Sequence, residues 1–130
     1  MDSMALTNDI IKEKLIAKFG ELLTDWEEPF GLLTFTAPKD ENLKVMQFLY
    51  DDPELRFQFL TDLCGVHYPG GKTGDLAVVY HLHNLKDNVR LRFKVFTTTA
   101  NPEVYTATSL YSSANWMERE TFDFFGINFV

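Results

Sequence analysis

The chain is short of cysteine, of positive charge and of long apolar runs, and each shortage removes a class of function. Cys64 is the only cysteine among 130 residues. No intramolecular disulfide can therefore form, and no C-x₂-C pair is present to hold zinc or an iron–sulfur cluster. A reducing, cytosolic setting is therefore the expectation. Twelve basic against nineteen acidic residues leave a formal net charge of -7. Such a balance repels phosphate backbones and argues against nucleic acid as the main partner. No run reaches the length of about eighteen apolar residues that a membrane span needs. Met1 to Thr7 also lacks a basic stretch followed by an apolar one. Membrane association is thus expected to run through partners, without direct insertion. There is no G-x-G-x-x-G, so the dinucleotide fingerprint is missing, and no internal repeat or low-complexity tract appears.

Aromatic residues, by contrast, are plentiful. Twelve Phe, five Tyr and two Trp stand in a chain that is 45% hydrophobic, which is more aromatic surface than one domain core of this size easily hides. An exposed aromatic patch marks a partner surface, so the excess points to an interface. The length fits a single domain spanning residues 1–130.

Punctuation and periodicity divide the chain into alternating elements. Asn8 is suited to cap a helix from Asp9 to Phe19, whose Ile11, Leu15 and Phe19 share one face and which Gly20 stops. Leu22-Leu23 and Leu32-Leu33-Thr34-Phe35, split by Pro29 and Gly31, suggest two strands joined by a turn. Asp40 is a good cap for a second helix, with Leu43, Met46, Leu49 and Tyr50 facing inward and Asp51-Asp52-Pro53 closing it. The two helices are expected on the same side of a sheet. A short helical turn and then a strand are expected between Arg56 and Val66.

The clearest element is a β-hairpin. Leu76, Val78, Tyr80 and Leu82 alternate, Lys86-Asp87-Asn88 makes a turn, and Val89, Leu91, Phe93 and Val95 alternate again. Thr97 to Ser109 reads as a crossover loop, and Ser113 to Phe125 as a helix that Gly126 terminates. The fold class is α+β: a two-layer domain with a mixed β-sheet and helices packed mainly on one face.

Several groups could carry chemistry. Gly70-Gly71-Lys72-Thr73 ends like a phosphate-binding loop, but the pattern requires glycine at position 66, where Val66 stands, and the segment precedes a strand instead of opening a helix. A hairpin loop is the better reading. His81 and His83 share a strand face and His67 is a candidate neighbour, yet two strand histidines without a defined third ligand read as a polar outer face. Cys64, between Leu63 and Val66, reads as an inert packed thiol. Arg90, Arg92 and Lys94 alternate with the apolar set and so form a basic stripe on the other face of the hairpin, suited to carboxylates of the domain's own helix or of a partner.

The final helix offers a candidate carboxylate. At 100° per residue Met117, Phe122, Phe124 and Phe125 make an apolar arc, and Glu118 falls inside it. A charge in that place requires a partner, which makes a buried pair with Arg90 or Arg92 the expectation. On the far side Arg119 and Asp123, with Asn115 and Glu120 nearby, are spaced for an exposed network.

The run Asn115-Trp116-Met117-Glu118-Arg119-Glu120-Thr121-Phe122-Asp123-Phe124-Phe125-Gly126-Ile127 resembles the Glu-Arg-Glu signature of the thirty-kilodalton subunit, or C subunit, of respiratory complex I, the proton-pumping NADH:quinone oxidoreductase. Phe59-Leu60-Thr61-Asp62-Leu63, Tyr68-Pro69, Val79-Tyr80-His81-Leu82 and Arg90-Leu91-Arg92-Phe93-Lys94-Val95 are similar to further family blocks in the right order.

The resemblance implies a non-catalytic scaffold of the peripheral arm on the cytoplasmic side of the bacterial inner membrane. It implies no flavin, cluster, metal or nucleotide on this chain, the complex using FMN, iron–sulfur clusters, NADH and quinone elsewhere. It names the D, B and I subunits as partners, and Glu118, Arg119, Glu120 and Asp123 as structural and docking residues. Position 67 departs from the pattern, with His67 where relatives carry an acid. The chain also stops at Val130, before the family's extended C-terminal segment, from which weaker docking is expected. Two other readings stand beside this one: the equivalent component of a membrane-bound hydrogenase or ferredoxin-linked complex, and a free-standing protein-binding module or small enzyme using the histidine face.

Overall fold

A computed structural model describes residues 5–71 and 74–130. Lys72 and Thr73 of the Gly-Lys-Thr segment, and Met1 to Met4, lie outside the described residues. The first helix, α1, spans Asn8–Phe19. Its cap is Thr7 and not Asn8: the Thr7 hydroxyl accepts the Ile10 N–H at 3.3 Å, while the Asn8 amide donates to the Gly31 carbonyl at 2.9 Å. Both residue types can cap, and the tie from Asn8 to the distant loop decides between them. Ile11 and Leu15 are fully buried, and the half-buried Phe19 meets Phe48 edge-on.

A single 3₁₀ turn leads from α1 into strand β1, Thr24–Glu27, and a second leads into β2, Leu33–Ala37, its antiparallel partner. Helix α2 spans Asn42–Asp51 with Glu41 at its cap position, one residue later than a cap at Asp40 would place it, because Lys39–Glu41 forms a separate 3₁₀ turn. Its buried face is Asn42, Val45, Met46 and Leu49, with Leu43 and Tyr50 only half-covered. Asn42 turns inward because its amide donates to the Tyr80 hydroxyl at 3.1 Å and to the Tyr105 carbonyl at 2.9 Å, bonds that offset burying a polar group. Lys14 of α1 bridges to Asp52 at 3.0 Å and Glu54 at 2.7 Å, tying α1 to the segment that follows α2.

Three long strands complete the sheet: β3 Phe59–His67, β4 Leu76–Asn84 and β5 Val89–Thr97. The hairpin closes with Asn84 opposite Val89, and Asn88 takes a positive φ of 53° in the turn, a conformation asparagine tolerates. The strand order is β1-β2-β5-β4-β3, with β2 parallel to β5 and the other pairs antiparallel. Within the expected crossover loop a two-residue strand, β6 (Glu103–Val104), pairs parallel with β7 (Asn128–Phe129) just after the last helix, α3 (Ala114–Phe125). Two-residue strands carry no periodicity, which is why the sequence does not announce them.

The core gathers one side chain of every alternating pair: Leu33 and Phe35 of β2, Leu76, Val78, Tyr80 and Leu82 of β4, and Leu91, Phe93 and Val95 of β5. Phe35, Phe93 and Tyr80 stack in a row with ring centroids 5.3 and 4.8 Å apart. Ile11 and Leu15 of α1, Val45, Met46 and Leu49 of α2, and Ala114 and Met117 of α3 join the same cluster. All three helices therefore lie on one face, as the apolar alternation requires, and among the described residues the opposite face of the sheet carries no helix.

Candidate docking faces

Helix α3 lies over the edge strand β3. The contact is set by Gly65: a Cβ built there would fall 2.6 Å from the Phe125 ring, so only glycine leaves room for the aromatic. At the other end the Ser113 hydroxyl donates to the Leu60 carbonyl at 3.3 Å. Gly126 ends the helix with φ 72°, its N–H returning to the Phe122 carbonyl at 2.8 Å. The buried residues are Ala114, Met117, Glu118 and Thr121, with Phe125 half-covered.

Two features of this helix correct the sequence-based expectation. Phe122 and Phe124 do not join the packed arc: they are 48% and 78% exposed, because the face pressed on β3 is centred on Thr121 and Ala114 and these two rings fall to either side of it. Trp116 is also 58% exposed. The outward surface of α3 therefore carries Trp116, Phe122 and Phe124 together with exposed Asn115, Arg119, Glu120 and Asp123. Among the described residues, Arg119 makes no ion pair with Asp123 or Glu120 within 4.0 Å, so the expected intrahelical network does not form.

The second correction concerns Glu118. It is buried, as expected of a charge on the inner arc, but its partners are not arginines. Its carboxylate accepts the Thr106 hydroxyl at 2.6 Å and the Ala107 backbone N–H at 2.8 Å. The topology explains why. Arg90 and Arg92 belong to β5, separated from β3 by β4, and point to the helix-free face, so the sheet stands between them and α3. Burial pushes the Glu118 carboxyl above its usual range, and the two hydrogen bonds pull in the opposite direction without cancelling it. Thr106 and Ala107 lie in the polar loop, where sequence periodicity gives no signal for them.

The basic stripe is found where the alternation puts it. Arg90, Arg92 and Lys94 stand opposite His83, His81 and Val79 of β4 across the hairpin. Arg92 is held from the other side: its Nε donates to the Thr34 hydroxyl at 3.2 Å and its guanidinium reaches Glu27 at 4.0 Å. Lys94 sits 6.0 Å from the centre of the Tyr68 ring. The His81 ring is 3.9 Å from the Asp62 carboxylate, and burial lowers its pKa, Asp62 raising it and Arg92 adding to the fall. His83 meets the Asn88 side chain at 2.9 Å. His67 lies at the far end of β3, opposite Leu76, so the three histidines are not brought together. No group of three His, Cys, Asp or Glu with metal-binding geometry occurs among the described residues. Cys64 is half-buried, and burial raises its thiol pKa, with Asp62 contributing, which is the setting of an unreactive thiol.

No helix among the described residues is long and apolar enough to cross a membrane. The chain is 42% identical over 127 residues to the NADH-quinone oxidoreductase C subunit of Roseiflexus sp. strain RS-1, covering 98% of this chain and 72% of the relative. It is 39% identical over 117 residues to the protein of the same name from Methylorubrum populi, covering 90% of this chain. It spans about half the length, 52%, of that second relative. Among solved structures it is similar to the trypsin-resistant fragment (1–134) of Nqo5, with a TM-score of 0.78 and 31% identity over 93% of each chain. The family model described as respiratory-chain NADH dehydrogenase, 30 Kd subunit, matches residues 35–130. That span runs from β2 through the basic stripe to the whole of α3, and the chain belongs to this family.

Proposed function

We propose that the chain is a non-catalytic scaffold of a proton-pumping NADH:quinone oxidoreductase. It sits peripherally on the cytoplasmic side of the membrane and holds the D and B subunits of the quinone module beside the I subunit. FMN, the iron–sulfur clusters, NADH and quinone belong to other subunits in this reading. The observation that carries it is the outward face of α3. Tryptophan, phenylalanine and arginine are the side chains that anchor protein interfaces, and here Trp116, Phe122, Phe124 and Arg119 all stand in solvent, spread around the outward surface of a helix fixed to the rest of the domain through Glu118 and Phe125. Three exposed aromatic rings on one short helix are the mark of a surface that a partner covers. Glu120 and Asp123, flanking the rings, add polar contacts that set orientation.

The test is co-purification of the tagged chain with the B, D and I subunits of the same organism's complex. Recovery of at least one of them in stoichiometric amount is expected. Recovery of none would overturn the scaffold reading. A Trp116→Ala/Arg119→Ala double variant that folds normally should lose that recovery.

A further inference from the structure

The helix-free face of the sheet has a construction of its own. Arg90, Arg92 and Lys94 project from it at alternate positions of β5, the central strand of the five. Around this row the floor is already dry: Thr34, Ala77 and Val79 are buried although no helix of the described residues covers them and although Ala77 and Val79 stand outside the main core cluster. The long side chains beside them provide the cover, with Tyr68 against Phe96 at 5.4 Å and Lys94 over Tyr68. Two carboxylates share the face, and both lie on edge strands: Glu27 on β1 and Asp62 on β3. Among the described residues Arg90 has no carboxylate within 4.0 Å.

These placements define the shape of what fits. Alternate residues of a strand are about 6.7 Å apart, so the three cations leave the backbone along a row of about 13 Å, Arg92 turning toward Glu27 and Lys94 toward Tyr68. Carboxylates at i, i+4 and i+8 of an α-helix are about 6 Å apart and span about 12 Å on one stripe. The two rows match. A helix body about 10 Å wide, centred on β5, covers that strand and its immediate neighbours, while the backbones of Glu27 and Asp62 stand two strands away on either side, about 9.6 Å from that of β5. Asp62 flanks such a helix, and Glu27 reaches in to Arg92 at 4.0 Å and shares that cation with the incoming acid. A flat anionic membrane would instead press its headgroups against both edge carboxylates.

We propose that this face docks an acidic amphipathic helix of a partner protein in the complex, its Asp or Glu residues at i, i+4 and i+8 seated on Arg90, Arg92 and Lys94 and its adjoining apolar stripe on Tyr68 and Phe96. The proposal adds a second face to the docking role and rests on that role only for the identity of the partner.

Two measurements test it. The first uses the isolated 130-residue chain and a stapled helical peptide carrying Glu at i, i+4 and i+8 beside a leucine stripe. Amide shifts are expected on β4 and β5 around His81, His83 and Arg92, with binding weakened at least tenfold by Arg90→Glu/Lys94→Glu and by raising salt from about 50 to about 300 mM. A milder Arg90→Gln/Lys94→Gln pair gives the same reading should the charge reversal unfold. Shifts confined to α3, no binding, or equal binding of a Lys-for-Glu peptide would overturn the proposal. The second places a photo-crosslinking phenylalanine at Phe96, which is half-exposed on this face, in the assembled complex. A crosslink to an acidic helix of another subunit is expected. A crosslink to lipid or to a segment without acids, or none in a complex that co-purifies intact, would remove this inference while leaving the scaffold reading standing. Failure of co-purification itself would sink the scaffold reading, and the peptide measurement would still decide this one.

Discussion

The Glu118 carboxylate accepts the backbone N–H of Ala107 at 2.8 Å, and this bond ties the α3 helix to the loop that follows β6. With the Thr106 hydroxyl at 2.6 Å it replaces the arginine that the sequence pattern suggests. Glu118→Ala leaves the Ala107 N–H without a partner and the Thr106 hydroxyl with only that of Thr108, and is expected to destabilise by about 1–3 kcal/mol in urea melts. Glu118→Gln keeps one acceptor and should cost less than half of that. The pH dependence separates charge from packing. The folded carboxyl has its pKa raised, so the folded state holds its proton more tightly than the unfolded chain. That contribution is complete below the unfolded value of about 4.3 and is lost as pH rises through the folded one. Wild type should therefore lose stability relative to Glu118→Gln as pH climbs out of the acid range. A pH-independent difference between the two would show that the carboxylate is not strained by burial.

Gly65 and Phe125 are a second fixed point. Adding a Cβ 2.6 Å from the ring demands that the ring move, and Gly65→Ala is expected to cost about 1–3 kcal/mol as overpacking. In a Phe125→Ala background the same substitution should cost less than half as much, because the obstacle is gone. Equal costs in both backgrounds, measured by chemical denaturation, would mean that the strand and not the ring resists the methyl.

His81 reports on the helix-free face without any partner. Burial lowers its pKa, Asp62 raises it and Arg92 lowers it further, so its NMR titration midpoint should lie below the usual value of about 6.5. The folded state thus disfavours the protonated ring, and the contribution to stability is full above the unfolded pKa and is lost as pH falls through the folded one. Asp62→Asn should shift the midpoint further down and Arg92→Met should shift it up. Movement of either in the opposite direction would contradict the arrangement of these three side chains.

Legibility in the sequence follows the length of each periodic signal. The hairpin from Leu76 to Val95 is plain because alternation over nine-residue strands is a strong pattern, and the basic stripe comes with it. Helix α3 and its Gly126 stop are equally plain. The rotation of α3 is not, because hydrophobicity alone places Phe122 and Phe124 inward, whereas the surface it meets is a narrow edge strand notched at Gly65. The partner of Glu118 is hidden for a topological reason: a stripe and an acid that both seek charge can lie on opposite faces of one sheet, and strand order is not written in the pattern of either. Asn42 turns inward, against its type, for a bond to Tyr80 that joins residues 38 apart in sequence.

The three exposed rings of α3 separate folding from binding. If Trp116, Phe122 and Phe124 were structural, removing them would unfold the chain. They stand in solvent, so each single alanine substitution should leave stability within about 0.5 kcal/mol of wild type. Association should respond differently. A buried tryptophan at the centre of an interface is worth about 2 kcal/mol or more, so Trp116→Ala should weaken binding to the partner subunits about thirtyfold or more while its melt is unchanged. Loss of Phe122 or Phe124 should weaken binding less individually and more together with Trp116. Asp123→Lys reverses a charge beside those rings without touching the core, which makes it a probe of orientation: a slower association rate with normal stability is expected. Surface plasmon resonance on the assembled partners reads both affinity and rate. Unfolding by any of these substitutions would return the rings to the core, and unchanged binding by all of them would move the interface elsewhere.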